Sequence, residues 1–207
     1  MSSSSANPSL QVTISSKQIL SISLPIALAI MVPQINFVIN NIFLGALSSE
    51  ALAIGGITGV YYLIFGVMGQ GLNNGLQALI SRRAGENRID EIGILFSQGV
   101  IISFFLAAVG IVFTYFIAPP IFYAVLKDSH RATIVIEFLK IRIWGIPFLF
   151  IYQMRNALLV GTNQSKFLII GTATEAIFNI FFDYSLIFGH FGCKAFGLNG
   201  AAYASII

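Results

Sequence analysis

The sequence predicts an all-α integral membrane protein, a bundle of six transmembrane helices in which the sixth is truncated. Hydrophobic residues make up 57% of the 207 residues and charged residues only 9%, whereas about 25% of an average soluble domain is charged. The mean hydropathy is +0.87, and the apolar residues form runs of about 20, the length that crosses a bilayer as a helix. The net charge of +3 is spread thinly between these runs, so no basic patch indicates nucleic-acid binding.

The helices follow from the apolar runs in chain order. Five runs are complete, at residues 18–44, 52–81, 92–117, 134–160 and 167–188, and a sixth begins at residue 198. The sixth run has roughly ten residues, about half of a crossing, so we expect the chain to be a fragment of a longer protein. Residues 1–16 are small, polar and almost uncharged, and we expect them to form a flexible tail ahead of a membrane lobe at 17–207.

The first run combines prolines with a polar flank. Pro25 and Pro33 each remove a backbone hydrogen bond and free a carbonyl group, so we predict a hinge or an ion-binding bend here. Asn36 and Asn40 lie on the polar flank of this run, and we expect Asn36 to line a cavity. The structural alternative is an ordinary proline kink that packs against neighbouring helices.

The second run carries small and polar residues at helical spacings. Gly71 and Gly75 are four residues apart, and Gly55 and Gly59 repeat this spacing, which lets neighbouring helix backbones approach closely. Gln70 and Asn74 belong to a row of amides that recurs along one side of the run. Such a row forms either hydrogen bonds between helices or the wall of a water-filled cavity, and we expect Gln70 and Asn74 to line a cavity.

The arginines indicate the orientation of the bundle. Arg82, Arg83 and Arg88 follow the second run, and this cluster favours a cytoplasmic N-terminus by the positive-inside rule. Arg142 then falls on the outer side of the membrane. Arg155 lies near the opposite end of the fourth run, so we expect its side chain to snorkel to the membrane surface.

Three polar residues share one face of the fifth run. Glu175, Asn179 and Asp183 are spaced four residues apart. On a helix, each of them is therefore rotated by about 40° about the axis and shifted by about 6 Å along it relative to the one before. A charged group at the bilayer centre costs roughly 2.5–3.5 kcal/mol on insertion scales and usually faces the bundle interior or water. The structural alternatives are a snorkelling Glu175, an Asn179 bonded to a neighbouring helix and a neutral, satisfied Asp183.

Depth in the membrane connects this face to two other helices. Asp183, Asn40 and Ser205 lie about 9–12 Å below the ends of their helices on one membrane side, so they can meet if the first, fifth and sixth helices are neighbours. Protonation and cation binding can compete at a buried aspartate. We therefore predict an ion-coupling site at Asp183, Asn179, Asn40, Ser205 and Glu175. Na⁺ can bind at Asp183 and Asn179, and we expect no resident metal or other cofactor.

Four segments carry a resemblance to a known family. They are LPIALAIMVPQINFVINNIFLGALSSEALA, GQGLNNGLQALISRRAGENRIDEI, NALLVGTNQSKF and NIFFDYSLIFGHFGCKAFGLNGAAYAS. Together they resemble the N-terminal half of the multidrug and toxic compound extrusion (MATE) transporters, from Lys17 to Ile207. The resemblance implies a twelve-helix transporter of two six-helix lobes, of which this chain is the first. Such transporters export organic cations and other amphipathic compounds against an inward flow of H⁺ or Na⁺.

The resemblance also bears on individual residues. Where members bind a cation in the first lobe, an aspartate and an asparagine of the fifth helix take part, and these match Asp183 and Asn179. A hydroxyl residue of the sixth helix matches Ser205. Many members have an aspartate and a threonine in the first helix where this chain has Asn40 and Asn41. This departure disfavours a proton relay through paired aspartates.

We therefore expect a cation-coupled antiporter rather than an enzyme. The alternative is a lipid-linked saccharide flippase of related architecture, which would need a more cationic cavity. The sequence shows no serine–histidine pair, histidine cluster or paired aspartate motif for intramembrane catalysis. The expected partners are the lipid bilayer, a missing C-terminal lobe and small amphipathic or cationic substrates. The expected location is a bacterial inner (plasma) membrane, and a half-sized protein that dimerises is the alternative to a fragment.

Overall fold

The computed structural model describes residues 16–206, except for the side chains of Lys17, Gln18, Ser21, Ile22, Ala29, Ile30 and Pro33. The predicted flexible tail lies outside these residues apart from Ser16, at which the first helix begins. The helices are α1 (Ser16–Leu47), α2 (Ser49–Gly85), α3 (Ile89–Phe116), α4 (Ala118–Val125), α5 (Ser129–Arg142), α6 (Ile146–Gly161), α7 (Lys166–Phe188) and α8 (Leu198–Ala204). The described residues contain no strand.

The predicted all-α membrane fold is confirmed. Among the described residues, α2, α3 and α7 are long and apolar enough to cross a membrane, and residues 34–47 of α1 form a shorter apolar stretch. Less than a third of the most apolar window of each long helix is buried within the bundle. The outer faces of these helices therefore present apolar side chains to their surroundings, as lipid requires.

The fourth predicted helix is wrong as a single element. Residues 134–160 are divided between α5 and α6 by a 3₁₀ turn at Ile143–Gly145. Pro147, in the first turn of α6, has no backbone N–H to continue the hydrogen-bond pattern of α5. The connection between the third and fourth runs also contains α4, whose first turn holds Pro119 and Pro120, where the missing N–H groups cost little.

Local sequence explains where several helices begin and end. Ser48 accepts a hydrogen bond from the backbone N–H of Ala51 at 2.9 Å and caps α2. Asp128 accepts from the backbone of His130 and caps α5. Gly189 follows α7 with φ at 78°, a conformation that glycine adopts without steric cost and that commonly ends helices.

Glycines set the close contacts inside the bundle. The main helix pairs are α2 with α6, α1 with α7, α3 with α6 and α2 with α3, while α8 packs against α7, α5 and α1. A side chain at Gly161 would come within 2.6 Å of Ile80, and one at Gly69 within 3.0 Å of Phe150. The predicted close approach is found at Gly55, where a Cβ would collide with the side chain of Leu44 on α1. It is wrong at Gly71 and Gly75 for the described residues, because nothing lies within 4 Å of a Cβ at either position.

Candidate functional site

The helices enclose a partly open cavity of about 460 Å³. It lies between α1, α2, α6 and α7, and the ends of α5 and α8 complete it. The polar and charged residues that line it are Asn36, Asn40, Asn41, Tyr62, Arg142, Tyr152, Arg155, Glu175, Asn179 and Ser205.

Asp183 is a fully buried carboxylate on α7, with an exposed fraction of 0%. Asn40 on α1 lines the cavity and donates a hydrogen bond from Nδ2 to Oδ2 of Asp183 at 3.1 Å. Oδ1 of Asp183 is buried and has no hydrogen-bond partner in the described part of the chain. The first and fifth predicted helices are therefore joined directly through an amide and a carboxylate.

The end of α8 lies beside the same part of α7. Asn179 donates from Nδ2 to the backbone oxygen of Ala204 at 3.4 Å, and the Ser205 hydroxyl donates to the backbone oxygen of Ala201 at 2.8 Å. Neither Asn179 nor Ser205 hydrogen-bonds Asp183 within residues 16–206. The structure thus brings the first, fifth and sixth helices together, and the ion-coupling role of these residues stays a prediction.

The remaining predicted residues divide into two groups. Glu175 and Asn36 line the cavity, and Oδ1 of Asn36 is buried without a hydrogen-bond partner in the described residues. Gln70 and Asn74 do not line this cavity: both are exposed on α2, where Nε2 of Gln70 donates to Oδ1 of Asn74 at 3.4 Å. That contact runs along one helix, so these amides satisfy one another instead of joining neighbouring helices.

The prolines of the predicted hinge lie within α1. The helix runs from Ser16 to Leu47 through both Pro25 and Pro33, and Pro25 is buried. A hinge at these positions stays a prediction.

Arg142 is a cavity residue that sequence reasoning missed. Its Cζ lies 4.7 Å from the ring centroid of Tyr62, its Nε is buried without a hydrogen-bond partner among the described residues, and its charge is close enough to Asp183 to attract it. Charge counting placed Arg142 at the outer membrane side. The break before Pro147 could have indicated that the end of α5 lies inside the bundle.

The side chain of Arg155 reaches across to α7, and its snorkelling to the membrane surface stays a prediction. Its guanidinium lines the cavity, with Cζ 4.9 Å from the ring centroid of Tyr152. Gly171 on α7 makes room for it, because a Cβ there would lie 2.8 Å from Nη2 of Arg155. Sequence spacing gave no signal of this contact, since the glycine and the arginine lie on different helices.

The chain matches known proteins in sequence and in fold. A family model described as MatE matches residues 25–185. A probable multidrug resistance protein NorM of Synechocystis sp. is 26% identical over 92% of this chain and 41% of its own length. Another, of Halalkalibacterium halodurans, is 29% identical over 89% of this chain and 41% of its own length. A crystal structure of MATE in the bent conformation has a TM-score of 0.82 and 21% identity, over 92% of this chain and 42% of that one.

The chain thus spans less than half the length of these relatives. They do not favour the saccharide-flippase alternative, and theirs is a family of integral membrane transporters that is not known for enzymes. The resemblance carried by the four quoted segments is confirmed by the match over residues 25–185, and the chain belongs to the multidrug and toxic compound extrusion family.

Proposed function

We propose that this chain is the first lobe of a cation-coupled antiporter that exports small amphipathic or cationic compounds. An inward flow of H⁺ or Na⁺ drives export, and the coupling ion, which is the only cofactor we propose, exchanges at Asp183. Substrate occupies a central cavity to which the cavity of this lobe contributes. A C-terminal lobe and the lipid of a bacterial inner (plasma) membrane surround it, and the N-terminus is cytoplasmic.

The hydrogen bond between Asn40 and Asp183 is the observation that carries this proposal. A carboxylate removed from water loses several kcal/mol of solvation free energy unless other groups compensate it. Asp183 is fully buried, Asn40 supplies one donor at 3.1 Å, and Arg142 acts only at longer range. The second carboxylate oxygen still has no protein partner in the described residues, which supports an exchangeable proton or Na⁺ at this position.

Ion exchange at Asp183 changes how firmly α1 is held to α7. Hydrogen bonds to an ionised acceptor are roughly twice as strong as those between neutral groups, so protonation of Asp183 weakens its contact with Asn40. The weaker contact lets the segment with Pro25 and Pro33 change shape. The shift between inward-facing and outward-facing states is limited by the difference in ion affinity between them.

The test is Asp183→Asn in the full-length protein, reconstituted into vesicles with a fluorescent cationic dye. The amide keeps the shape of the carboxyl group but cannot exchange a proton, and it binds a metal cation far less well. We expect ion-driven efflux to fall to background. Asp90→Asn is the matched control, because Asp90 is exposed in the first turn of α3, and efflux should persist in it. Undiminished efflux by Asp183→Asn would reject the proposal.

The same vesicles identify the coupling ion. A pH gradient and a Na⁺ gradient are imposed separately, with the other ion equal on both sides. Efflux that follows one gradient and not the other assigns the ion, and efflux that follows neither contradicts ion coupling.

A further inference from the structure

We propose that Arg142 is a positioning residue that competes with the coupling ion for Asp183. Its guanidinium group pairs with the carboxylate when the ion leaves, and it returns to the ring of Tyr62 when an ion binds. This inference rests on the proposed function, because it adds a residue to the ion exchange at Asp183.

Arg142 and Asp183 each have a buried polar atom without a partner. In the described residues, Nε of Arg142 and Oδ1 of Asp183 are buried and make no hydrogen bond. Within residues 16–206 Arg142 forms no ion pair, although its charge is close enough to attract Asp183. Leaving a buried polar group unpaired is unfavourable, and more so when the group is charged. The donor that one side chain offers is what the other side chain lacks.

The ring of Tyr62 gives the guanidinium group a second resting place. Cζ of Arg142 lies 4.7 Å from the centroid of this ring and 6.0 Å from the centroid of the Phe138 ring. An aromatic face attracts a cation, most strongly where water is excluded. Tyr62 belongs to α2 and Asp183 belongs to α7. The two partners of the guanidinium group therefore come from different helices.

The break between α5 and α6 explains why this arginine lies inside the bundle. Arg142 is the last residue of α5, and the 3₁₀ turn Ile143–Gly145 follows it. Gly145 lets this turn approach both α2 and the end of α8. A Cβ there would lie 3.1 Å from Oη of Tyr62 and 3.2 Å from the backbone oxygen of Ser205. The turn thus places Arg142 beside the predicted ion-coupling residues.

The other titratable groups of the cavity point to Arg142 as the partner of Asp183. Besides Arg142 and a tyrosine of α2, Tyr152 and Arg155 line the cavity from α6 and Glu175 lines it from α7, while α1 contributes amides and the end of α8 a hydroxyl group. Arg155 acts electrostatically on Glu175, whereas Arg142 is the arginine that acts on Asp183. Loss of Arg142 should therefore change ion binding at Asp183 directly.

The guanidinium group and the coupling ion are alternative cations for one carboxylate. Arginine keeps its charge in both states. When Asp183 releases H⁺ or Na⁺, it becomes negatively charged, and a guanidinium group can donate a charge-assisted hydrogen bond to the free oxygen. A positive charge beside a carboxylate weakens its hold on a proton or another cation. Arg142 therefore helps the ion to leave, and the ring of Tyr62 helps an ion to return.

Thermal unfolding of the full-length protein in detergent measures the ion affinity without transport. An ion that binds the folded protein raises the unfolding temperature by mass action. Titration with Na⁺ at constant ionic strength, and with pH in the absence of Na⁺, gives the half-saturating concentrations. In Arg142→Gln we expect the coupling ion to bind about tenfold more tightly, because a nearby positive charge is removed. Arg142→Lys keeps this charge and should bind the ion as the wild type does.

Tyr62→Leu should change the ion affinity in the opposite direction. Without the ring, the guanidinium group is held less firmly away from the carboxylate, so we expect the ion to bind about threefold more weakly. Tyr62→Phe keeps the ring and should keep the affinity. Lys140→Gln is the charge control, because Lys140 lies on the same helix as Arg142 but over the ring of Tyr115 on α3, at 5.8 Å. It should leave the ion affinity unchanged.

A double variant assigns these effects to Asp183. In Asp183→Asn, the further change Arg142→Gln should leave the ion response unaltered, and a shift that persists there would overturn the inference. So would an ion affinity that neither Arg142→Gln nor Tyr62→Leu changes. If Arg142→Gln fails to fold, Tyr62→Leu compared with Tyr62→Phe decides. A wild-type protein without an ion response that depends on Asp183 would contradict the proposed function as well, whereas a response that these variants leave unchanged contradicts the inference alone.

Discussion

Asn40 provides a hydrogen bond to Asp183 in its buried position. An amide carries a donor and an acceptor, so Asn40 can donate to the ionised carboxylate, whereas a second carboxylate at this position would repel it. Many family members have an aspartate here, as the resemblance implies, and two carboxylates so close cannot both ionise freely. Under the proposed function, the amide leaves Asp183 as the one carboxyl group at this contact that could exchange an ion.

Asn40→Leu tests the contact at the level of one side chain. It leaves a buried carboxylate without its donor, which should lower the free energy of unfolding by about 1–3 kcal/mol. Asn41→Leu is the control, because Asn41 lines the same cavity but donates to the backbone of Phe37 in its own helix at 2.8 Å. Thermal unfolding of the two variants in the same detergent provides the measurement. Equal losses of stability in the two variants would show that the hydrogen bond from Asn40 to Asp183 stabilises the fold no more than the bond that Asn41 makes within its own helix.

At the level of helices, the bundle depends on how closely α2 and α6 approach. Gly161 ends α6 against Ile80 of α2, and Met154 and Ala157 bury themselves in the same cluster with Ile80. In a membrane, helices associate mainly through packing, so small residues at such contacts matter more than overall hydrophobicity. The position of Arg155 follows from this packing, because α6 carries it into the cavity.

Gly161→Ala should weaken the contact between α2 and α6. The added methyl group would lie 2.6 Å from Cγ2 of Ile80 and 3.3 Å from the backbone oxygen of Gln77, and overpacking of this kind costs about 1–3 kcal/mol. Gly71→Ala is the matched control on α2, where the new methyl group meets nothing within 4 Å. We expect a lower unfolding temperature only for Gly161→Ala. A lower unfolding temperature in Gly71→Ala as well would show that the effect of alanine does not depend on the contact with Ile80.

The loop after α2 gives a pH-dependent prediction. Hydrogen bonds from Arg82 and Arg83 hold the pKa of Glu86 below its ordinary value of 4.5. Because the folded-state pKa is depressed, Glu86 stabilises this helix end above pH 4.5, and the contribution is lost as pH falls through the lower folded value. We expect acid to raise hydrogen exchange at residues 84–88. Glu86→Gln should abolish this rise, whereas Glu50→Gln, which replaces an exposed carboxylate, should leave it in place. Persistence of that rise in Glu86→Gln would contradict the prediction.

Hydropathy predicts helices well and their interruptions poorly. The runs that became α1, α2, α3 and α7 could be located because lipid requires long apolar helices. The division between α5 and α6 was missed because Gly145 and Pro147 lie within an apolar stretch. Depth along straight helices correctly placed Asn40 level with Asp183, since rise per residue is fixed. Arg155 could not be placed, because its position depends on space across the bundle.

At the scale of the whole molecule, the arginines at the end of α2 and just after it predict the orientation in the membrane. Arg82 and Arg83 lie in the last turn of α2 and Arg88 lies between α2 and α3, and these arginines pair with Glu86 and Glu91. With that connection and the N-terminus on the cytoplasmic side, alternate crossings place the connection between α7 and α8 on the outer side. It contains the exposed Cys193, which is the only cysteine of the sequence.

Cys193 therefore reports the orientation. We expect a membrane-impermeant maleimide to label the full-length protein in intact cells, and Cys193→Ser to lose that label. Quantitative gel fluorescence before and after permeabilisation measures the accessible fraction. Labelling of Cys193 only after permeabilisation would place the N-terminus outside and reverse the predicted orientation.

The unshared oxygen of Asp183 has a further consequence for observing the proposed ion exchange. Asp183 is sealed from solvent and bonded to one amide, so we expect a narrow infrared band that is separate from those of exposed carboxyl groups. Proton loss or sodium entry would exchange a carbonyl stretch for a carboxylate stretch in that environment. Infrared difference spectra, with Asn40 substitutions as the assignment key, would then record each step of the cycle without an attached label.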